Sequence, residues 1–225
     1  MIKAILFDMD GVLYDSMRSH VQAWQETMSA VGVESSLEDF YLFEGRTGHS
    51  TIDILFQRAF GKDATLEEKK NIYARKAQRF VELEQAESTP MPGSLEVLKK
   101  TKALGLQRII VTGSGQHFLF EKLHKDFPGY FDKSKIVTAY DVNNGKPHPE
   151  PYLKGLEKGN LFPNEAIVIE NAPLGIKAAR TAGIFTVAVN TGPLLDAVLW
   201  DAGANVLFPS MPVLAENIEK LINQP

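Results

Sequence analysis

Short, continuous apolar runs recur along the chain, and stretches with helical periodicity separate them. Such runs are typical of strands that are buried on both faces of a parallel sheet. We predict strands at residues 2–7, 108–112, 135–139, 166–170 and 184–190, with a weaker strand at 205–208. Helical periodicity falls between them, at residues 94–103, 116–125, 150–158, 173–182 and 194–202. This alternation predicts an α/β fold, a Rossmann-like parallel sheet with helices on both faces.

Residues 16–89 interrupt this alternation with apolar residues at helical spacing and no strand pattern. Three groups of such residues predict three helices. They are Met17, Val21, Trp24, Met28 and Val31; Ile52, Leu55, Phe56, Ala59 and Phe60; and Ile72, Tyr73, Ala77, Phe80 and Val81. Proline and glycine between Ser88 and Gly93 mark the return to the sheet. We therefore predict an all-helical domain at 16–89, inserted into an α/β core made of residues 1–15 and 90–225.

Composition and charge exclude several classes of protein. The 225 residues are 44% hydrophobic and 23% charged, which is ordinary for a globular protein. The absence of cysteine excludes disulfides, a thiolate nucleophile and a zinc–sulfur site. A net charge of −4 without a basic stripe argues against nucleic acid as a partner. The N-terminal apolar run is too short for a signal sequence or a membrane span. We therefore expect a cytoplasmic protein with no membrane partner and, by default, a monomer.

Polar residues follow four of the predicted strands, at the point where each strand ends. They are Asp8 and Asp10 after the first strand, residues 112–115 (TGSG) after the second, residues 145–147 (GKP) in the loop after the third, and Glu170 and Asn171 at the fourth. The carboxyl ends of parallel strands meet at one edge, where open α/β sheets bind ligands. Each motif alone is also typical of a turn or a helix start, but their order predicts a single site. Carboxylates, a hydroxyl and a lysine together are typical of Mg²⁺-assisted phosphoryl transfer, because Mg²⁺ prefers oxygen ligands and cations offset phosphoryl charge.

These four segments resemble the ordered motifs of the haloacid dehalogenase superfamily. The segments are residues 7–13 (FDMDGVL), 111–114 (VTGS), 145–147 (GKP) and 168–171 (VIEN). The helical insertion resembles the small cap of that superfamily, and the resemblance spans nearly the whole chain. Its closest branch is the β-phosphoglucomutase-like group, in which the chain is similar to the phosphatase and inorganic pyrophosphatase members.

The resemblance implies a catalytic role for four residues. Asp8 would attack phosphorus and form an aspartyl-phosphate. Asp10 would protonate the leaving oxygen and then accept the proton of the attacking water. Thr112 would donate a hydrogen bond to a phosphoryl oxygen, and Lys146 would pair with the phosphoryl oxygens and with Asp8.

The resemblance also implies Mg²⁺ as cofactor, held by Asp8, Asp10, Glu170 and Asn171. Much of the family has aspartate where this chain has Asn171, so the metal loses one unit of compensating charge. Glu44 lies between the first two predicted helices of the insertion and is the candidate to restore that charge. Two interpretations of Glu44 stay open, a solvated loop charge and a carboxylate that joins the metal shell.

Five further residues are candidates for binding the phosphate of the substrate. Gly113 and Ser114 follow Thr112, where backbone N–H groups that open a helix bind anions. Arg46 is near Glu44 in the loop, with solvated charge as its alternative interpretation. For His20 we favour a polar residue on the flank of the helical bundle, although the mutases carry a histidine at a similar place. Lys76 shares the apolar side of its predicted helix, so it either extends outwards to water or reaches an anion under the cap.

Three functions therefore stay open. We expect a Mg²⁺-dependent phosphohydrolase that acts on a small phosphorylated substrate, with inorganic pyrophosphate favoured because Glu44 would occupy the volume of a sugar ring. The alternative is a β-phosphoglucomutase, which converts β-glucose 1-phosphate to glucose 6-phosphate. An alternative of another class is a non-catalytic protein that binds phosphate and has a regulatory role.

Overall fold

A computed structural model describes residues 1–87, 89–115 and 119–223 of the chain. Its described part contains one six-stranded sheet in the order β3-β2-β1-β4-β5-β6, with every neighbouring pair parallel. The strands are β1 (Ala4–Phe7), β2 (Gln107–Val111), β3 (Ile136–Val137), β4 (Ala166–Glu170), β5 (Phe185–Val189) and β6 (Val206–Phe208). The predicted fold class is confirmed.

Both faces of the sheet are covered, which explains why its strands are continuously apolar. The helices of the core are α5 (Ser94–Ala103), α6 (Leu119–Asp126), α7 (Glu150–Gly159), α8 (Pro173–Thr181), α9 (Asp196–Asp201) and α10 (Met211–Ile222). In β1, Ile5 and Phe7 face a cluster that contains side chains of α5, α6 and α10. Ala4 and Leu6 face a second cluster, formed with α7 and α8. All four side chains are fully buried, and burying one side chain of the size of Ile5, Leu6 or Phe7 contributes about 1.5–3 kcal/mol.

Between β1 and α5 the chain forms a helical insertion with its own apolar cluster. Its helices are α1 (Met17–Ser29), α2 (Leu37–Leu42), α3 (Gly48–Phe60) and α4 (Leu66–Glu87). Met28, Ile52 and Leu55 are among the fully buried side chains at its centre. The three predicted helices correspond to α1, α3 and α4. The division of the chain into two domains at the predicted boundaries stays a prediction.

Two helices were not predicted, although both carry a local signal. Ser36 and Asp39 form a capping box that begins α2, with Asp39 N–H donating to Ser36 Oγ at 3.0 Å and Ser36 N–H donating to Asp39 Oδ2 at 2.8 Å. Ser210 caps α10, which has proline in its first turn. The third strand is also shorter than predicted, because only Ile136 and Val137 pair with β2.

Parts of two predictions lie outside the described residues. They are residues 116–118, at the start of the helix predicted at 116–125, and Ser88, at the predicted return to the sheet. Within the described ranges, none of the helices has both the length and the apolar composition needed to cross a bilayer.

Candidate active site

The turn after β1 places Asp8 and Asp10 at the carboxyl edge of the sheet. Asp8 N–H still donates to the backbone of β4, at 3.0 Å from Ile169 O, so the residue is fixed by the sheet itself. Gly11 follows with a φ of +79°, and a Cβ at this position would lie 2.1 Å from Asn171 Nδ2. Glycine is therefore required here both by the backbone conformation and by the close approach of the amide.

Lys146 brings the loop after β3 to Asp8. Its Nζ lies 2.5 Å from Asp8 Oδ1 and 2.6 Å from Glu170 Oε1, and all three side chains are buried. Glu170 Oε1 also accepts from the Tyr152 hydroxyl at 2.8 Å, while Oε2 accepts from two backbone N–H groups at 3.0 Å. The carboxylate of Glu170 is thus held by four hydrogen bonds. This geometry favours a role in positioning Lys146 over the predicted metal ligation.

The buried charges shift the pKa values of Asp8 and Lys146. Burial and the negative charges of Glu170 and Asp10 raise the pKa of Asp8, and the ammonium of Lys146 opposes them. The two carboxylates raise the pKa of Lys146 despite its burial. Lys146 therefore stays protonated, and one further positive charge near Asp8 would favour the ionised carboxylate that a nucleophile needs.

The loop after β2 provides the hydroxyl and the backbone groups of the predicted phosphate site. Thr112 is 3% exposed, and its Oγ1 accepts from Ser114 N–H at 3.0 Å, which tightens the loop. Thr112, Gly113 and Ser114 line one cavity together with Asp8 and Asp10. The structure therefore brings together the residues of the first two predicted motifs, with Lys146 bonded to Asp8 beside them.

Asp10 connects the core to the helical insertion. Its Oδ1 accepts from Ser16 Oγ at 2.6 Å and lies 3.2 Å from His20 Nε2, while Lys76 Nζ lies 2.6 Å from His20 Nδ1. These contacts fit a neutral imidazole that donates to Asp10 and accepts from Lys76. Burial and the charge of Lys76 lower the pKa of His20. Burial raises the pKa of Asp10, but His20 and Ser16 outweigh it, so that pKa is lowered.

The favoured prediction for His20 was wrong, because the ring is not on the flank of the bundle. It stacks on Phe80 at a centroid distance of 3.9 Å and faces Asp10. Lys76 does not extend outwards: it is 4% exposed, and its Nζ lies 5.4 Å from the Trp24 ring and 4.7 Å from the Phe80 ring. The apolar period of the sequence predicts which face of each helix is buried, but it does not predict which helix faces contact Asp10.

Glu44 reaches the site from the loop between α2 and α3. Asn171 Nδ2 donates to its two carboxylate oxygens at 3.0 and 3.1 Å. Of the two interpretations left open by the sequence, the solvated loop charge is therefore wrong. Burial and the charges of Asp8, Glu170 and Asp10 raise the pKa of Glu44 well above its usual value.

The oxygen atoms around Asn171 fit a divalent cation. Asn171 Oδ1 is buried and has no hydrogen-bond partner among the described residues, so an oxygen ligand is left unused. Asp8, Asp10 and Glu44 add negative charge that Lys146 alone does not balance. In the described ranges, no group of three or more carboxylate, imidazole or thiol side chains is arranged to hold a metal. A hard cation here would therefore also need the amide oxygen of Asn171.

The inner cavity lies between the core loops and the helical insertion and has a volume of about 80 Å³. Its core side is Asp8, Asp10 and 112–114, and its other walls include His20, Trp24, Phe40, Phe43, Glu44, Arg46, Tyr73 and Lys76. The Tyr73 ring packs where Gly48 has no side chain, since a Cβ there would lie 2.2 Å from the ring. Its hydroxyl is hydrogen-bonded by the backbone of Gly115.

Sequence reasoning missed three residues that shape this site. Tyr152 donates a hydrogen bond to Glu170, Ser16 donates one to Asp10, and Tyr73 lines the inner cavity. Ser16 precedes the first helix of the insertion, where serine is typical of a helix cap, yet its hydroxyl donates to Asp10 instead. Tyr73 was assigned to the apolar stripe of its helix, and Tyr152 carries no signal beyond its position after the GKP motif.

Comparison with known proteins gives consistent relatives. A family model described as haloacid dehalogenase-like hydrolase matches residues 5–189. The phosphorylated carbohydrates phosphatase of Thermotoga maritima is 30% identical over 215 residues, which cover 95% of this chain and 97% of that protein. Hexitol phosphatase A of Escherichia coli is 32% identical over 194 residues, covering 84% and 83%. The solved structure of a candidate beta-phosphoglucomutase from Bacteroides vulgatus is 53% identical, with a TM-score of 0.94 over 98% of this chain and 89% of that one.

These relatives align over nearly the whole chain, so they share both the sheet and the helical insertion. The family model begins in β1, just before Asp8, and ends in β5, beyond Asn171, so it contains every strand-end residue described above. The chain therefore belongs to the haloacid dehalogenase-like hydrolases, in their β-phosphoglucomutase-like branch, and it is an enzyme of the phosphatase or mutase type.

Proposed function

We propose that the chain is a Mg²⁺-dependent phosphohydrolase that works through an aspartyl-phosphate on Asp8, and that inorganic pyrophosphate is its favoured substrate. The observation that carries the reaction class is the buried contact of Asp8 with Lys146 beside Asp10. The observation that carries the substrate is the carboxylate of Glu44 at Asn171, in the wall of a small cavity.

The residues divide the reaction into two proton-balanced steps. Asp8 attacks phosphorus, the bond from phosphorus to the leaving oxygen breaks, and Asp10, which must enter this step protonated, donates its proton to that oxygen. Water then attacks the phosphorus of the aspartyl-phosphate, the bond from phosphorus to the Asp8 carboxylate breaks, and Asp10 takes the proton of that water. Lys146 and the Thr112 hydroxyl stabilise the charge on the phosphoryl oxygens during both steps. When bound, Mg²⁺ supplies further positive charge at the phosphoryl group, and Asp8, Asp10, Asn171 and Glu44 are the residues that would hold it.

The size of the inner cavity supports a compact substrate. Its volume of about 80 Å³ is well below the roughly 300–1,000 Å³ of sites that bury drug-sized ligands. Glu44 and Tyr73 form part of its walls, and the volume that these two side chains fill is not available to a sugar ring. Pyrophosphate has no ring to accommodate, and its second phosphate is an anion for Lys76 to bind.

The relatives support a phosphatase and leave the mutase as the second candidate. The relatives from Thermotoga maritima and Escherichia coli are phosphatases by name, which supports hydrolysis of a phosphorylated carbohydrate by this chain as well. The structure from Bacteroides vulgatus favours the mutase. A mutase needs an aspartyl-phosphate that survives water and a cavity that holds a hexose, and the second requirement is at odds with the inner cavity. The non-catalytic alternative is disfavoured because Asp8, Asp10 and Lys146 are all in place.

The test is phosphate release from pyrophosphate, hexitol phosphate, β-glucose 1-phosphate and p-nitrophenyl phosphate, with Mg²⁺ and with a chelator. We expect the highest kcat/KM for pyrophosphate, activity only with Mg²⁺, and no turnover by Asp8→Asn. A lack of preference for pyrophosphate would exclude it as the favoured substrate.

A coupled assay of β-glucose 1-phosphate with a trace of glucose 1,6-bisphosphate tests the mutase. We expect no glucose 6-phosphate above that formed by Asp8→Asn. Sustained formation of glucose 6-phosphate would overturn the hydrolase assignment. Phosphate release that is unchanged in Asp8→Asn would refute the nucleophile.

A further inference from the structure

A second and larger cavity lies on the other side of the loop that carries Glu44. This outer chamber is formed by the cap residues Arg46, Thr47 and Ser50 and by residues 143–148 of the core. Its volume is about 380 Å³, against about 80 Å³ for the inner cavity. A volume of this size falls within the roughly 300–1,000 Å³ range of sites that bind small molecules.

The guanidinium of Arg46 is directed to the outer chamber. Its Nη1 donates to Ser50 Oγ at 3.3 Å, and Ser50 lines the outer chamber but not the inner cavity. The Nε of Arg46 is buried and has no hydrogen-bond partner among the described residues. Burial lowers the pKa of this guanidinium, and no carboxylate opposes that effect. We predicted that Arg46 binds the phosphate of the substrate. Arg46 does line the inner cavity, as that role requires, but its Nη1 donates to Ser50 of the outer chamber.

The chamber contains no counter-charge for Arg46. Of the described residues that line it, none is acidic, and Arg46 forms no ion pair within the described ranges. A partly buried charge is unfavourable unless it is paired, so this arrangement is suited to an anion that arrives from solution.

Glu150, whose carboxylate contacts the chamber loop, is already hydrogen-bonded. Glu150 accepts from Asn143 N–H at 2.8 Å, and from the backbone and side chain of Asn144 at 2.9 and 3.0 Å. These bonds fix the loop and lower the pKa of Glu150. The hydroxyl groups of Ser50 and Thr47, the amide of Asn143 and the imidazole of His148 remain as polar lining.

Two glycines pack closely beside the outer chamber, one against the stem of Lys146 and the other against Thr47. A Cβ on Gly45 would lie 2.8 Å from Lys146 Cδ, and a Cβ on Gly145 would lie 2.7 Å from Thr47 Cγ2. Lys146 lines the outer chamber with its stem while its Nζ bonds Asp8. The outer chamber is therefore directly behind the lysine that contacts the nucleophile.

We propose that the outer chamber is a second oxyanion site, in which Arg46 and Ser50 bind inorganic phosphate next to the catalytic centre. Phosphate is the product of the proposed hydrolysis, so the source of the ligand rests on the proposed function. The binding itself rests only on the chamber and its unpaired guanidinium. A phosphate monoester presents the same group, and the volume leaves room for its organic part.

The test is direct binding of radiolabelled inorganic phosphate to the full chain with Mg²⁺ present. We expect two phosphates per wild-type chain. Ser50 is in the first turn of α3 and already accepts from Arg46, so Ser50→Asp places a carboxylate where it pairs with the guanidinium and repels the anion. Acidic residues also suit the first turn of a helix. This variant should bind one phosphate. Ser50→Asn has the same size without the charge and should still bind two.

A third measurement identifies the ligand and its place. Methylphosphonate, a monoester analogue without a cleavable P–O–C link, should compete for both sites if the phosphate group alone is recognised. Tungstate, a heavy phosphate analogue, should give an anomalous peak beside Arg46 and Ser50 in a crystal of the wild type and none there in Ser50→Asp. The same number of bound phosphates in wild type and in Ser50→Asp would overturn the proposal. One phosphate in wild type and none in Ser50→Asp would support the outer site and count against the proposed function. Because no turnover is measured, these results are independent of which substrate the enzyme hydrolyses.

Discussion

Replacing Gly175 by alanine should destabilise the protein, although the same change in a helix is normally favourable. Gly175 is in the first turn of α8, directly after the motif that contains Glu170. In a helix interior, alanine is favoured over glycine by about 1 kcal/mol. Here, however, the new Cβ would lie 1.7 Å from Glu170 Oε1 and 2.1 Å from its Cδ.

The magnitude follows from what holds Glu170 in place. Its carboxylate has four hydrogen bonds, from Lys146, Tyr152 and two backbone N–H groups, so no rotation relieves the clash without breaking some of them. Overpacking a core costs about 1–3 kcal/mol, and breaking a buried ion pair costs about 3–5 kcal/mol. With Glu170 displaced from Lys146, the net loss after the helical gain is about 2–4 kcal/mol.

The assay is urea unfolding followed by circular dichroism, together with hydrolysis of p-nitrophenyl phosphate. We expect Gly175→Ala to lower the unfolding midpoint and to lose most of its kcat, because Lys146 loses its anchor. Lys177→Ala is the matched control, since it adds no contact and removes an exposed side chain from the same helix. It should change stability by less than about 0.5 kcal/mol. A midpoint for Gly175→Ala at or above that of the wild type would refute the reasoning.

Three further predictions concern residues around the two cavities. Hydrogen bonds to its carboxylate lower the pKa of Glu150, so its stabilising effect is present above its unfolded-state pKa and is lost as pH falls through the folded value. Glu150→Gln should therefore have a lower urea midpoint than wild type at pH 7 and the same midpoint in acid. A difference in midpoint that is constant with pH would contradict this. Lys76→Met should raise KM for phosphorylated substrates about ten- to hundredfold, because a hydrogen bond to a charged group contributes about 1.5–3 kcal/mol. An unchanged KM in steady-state kinetics would exclude Lys76 from substrate binding. Tyr152→Phe should lower kcat with little change in KM, since Lys146 keeps its partners but Glu170 loses one donor. Equal kcat values for the variant and the wild type would show that the Tyr152 hydroxyl does not position Glu170 and Lys146.

The position of the catalytic motifs could be predicted because it depends on topology alone. In a parallel sheet the carboxyl ends of all strands lie on one edge, so residues that end β1, β2 and β4 converge whatever their separation in the chain. Asp8 N–H, directly after β1, donates to Ile169 O of β4, 161 positions further along the chain, at 3.0 Å for this reason. The helices α1, α3 and α4 could be predicted from the apolar period, because that period also forms the apolar cluster of the insertion.

Contacts between the insertion and the core could not be predicted, because they depend on how two separately packed surfaces meet. The sequence assigned His20 and Lys76 to a helix face but carried no information on the neighbour of that face. Glu44 had two open interpretations, and only the loop conformation at Gly45, with a φ of +86°, brings it towards Asn171. Arg46, next in the chain, is directed to the opposite side by its bond to Ser50.

The sequence by itself therefore determined which strands and motifs follow one another along the chain, the class of chemistry and the helical nature of the insertion. All of these follow from local periodicity and from the rule that parallel strands end together. Only the tertiary structure decided that Glu170 contacts Lys146, that Glu44 and Asn171 are bonded, and that a second chamber lies behind Lys146. Each of these depends on side chains from distant segments meeting at about 3 Å, and the free energy of such contacts comes from burial that no single segment provides alone.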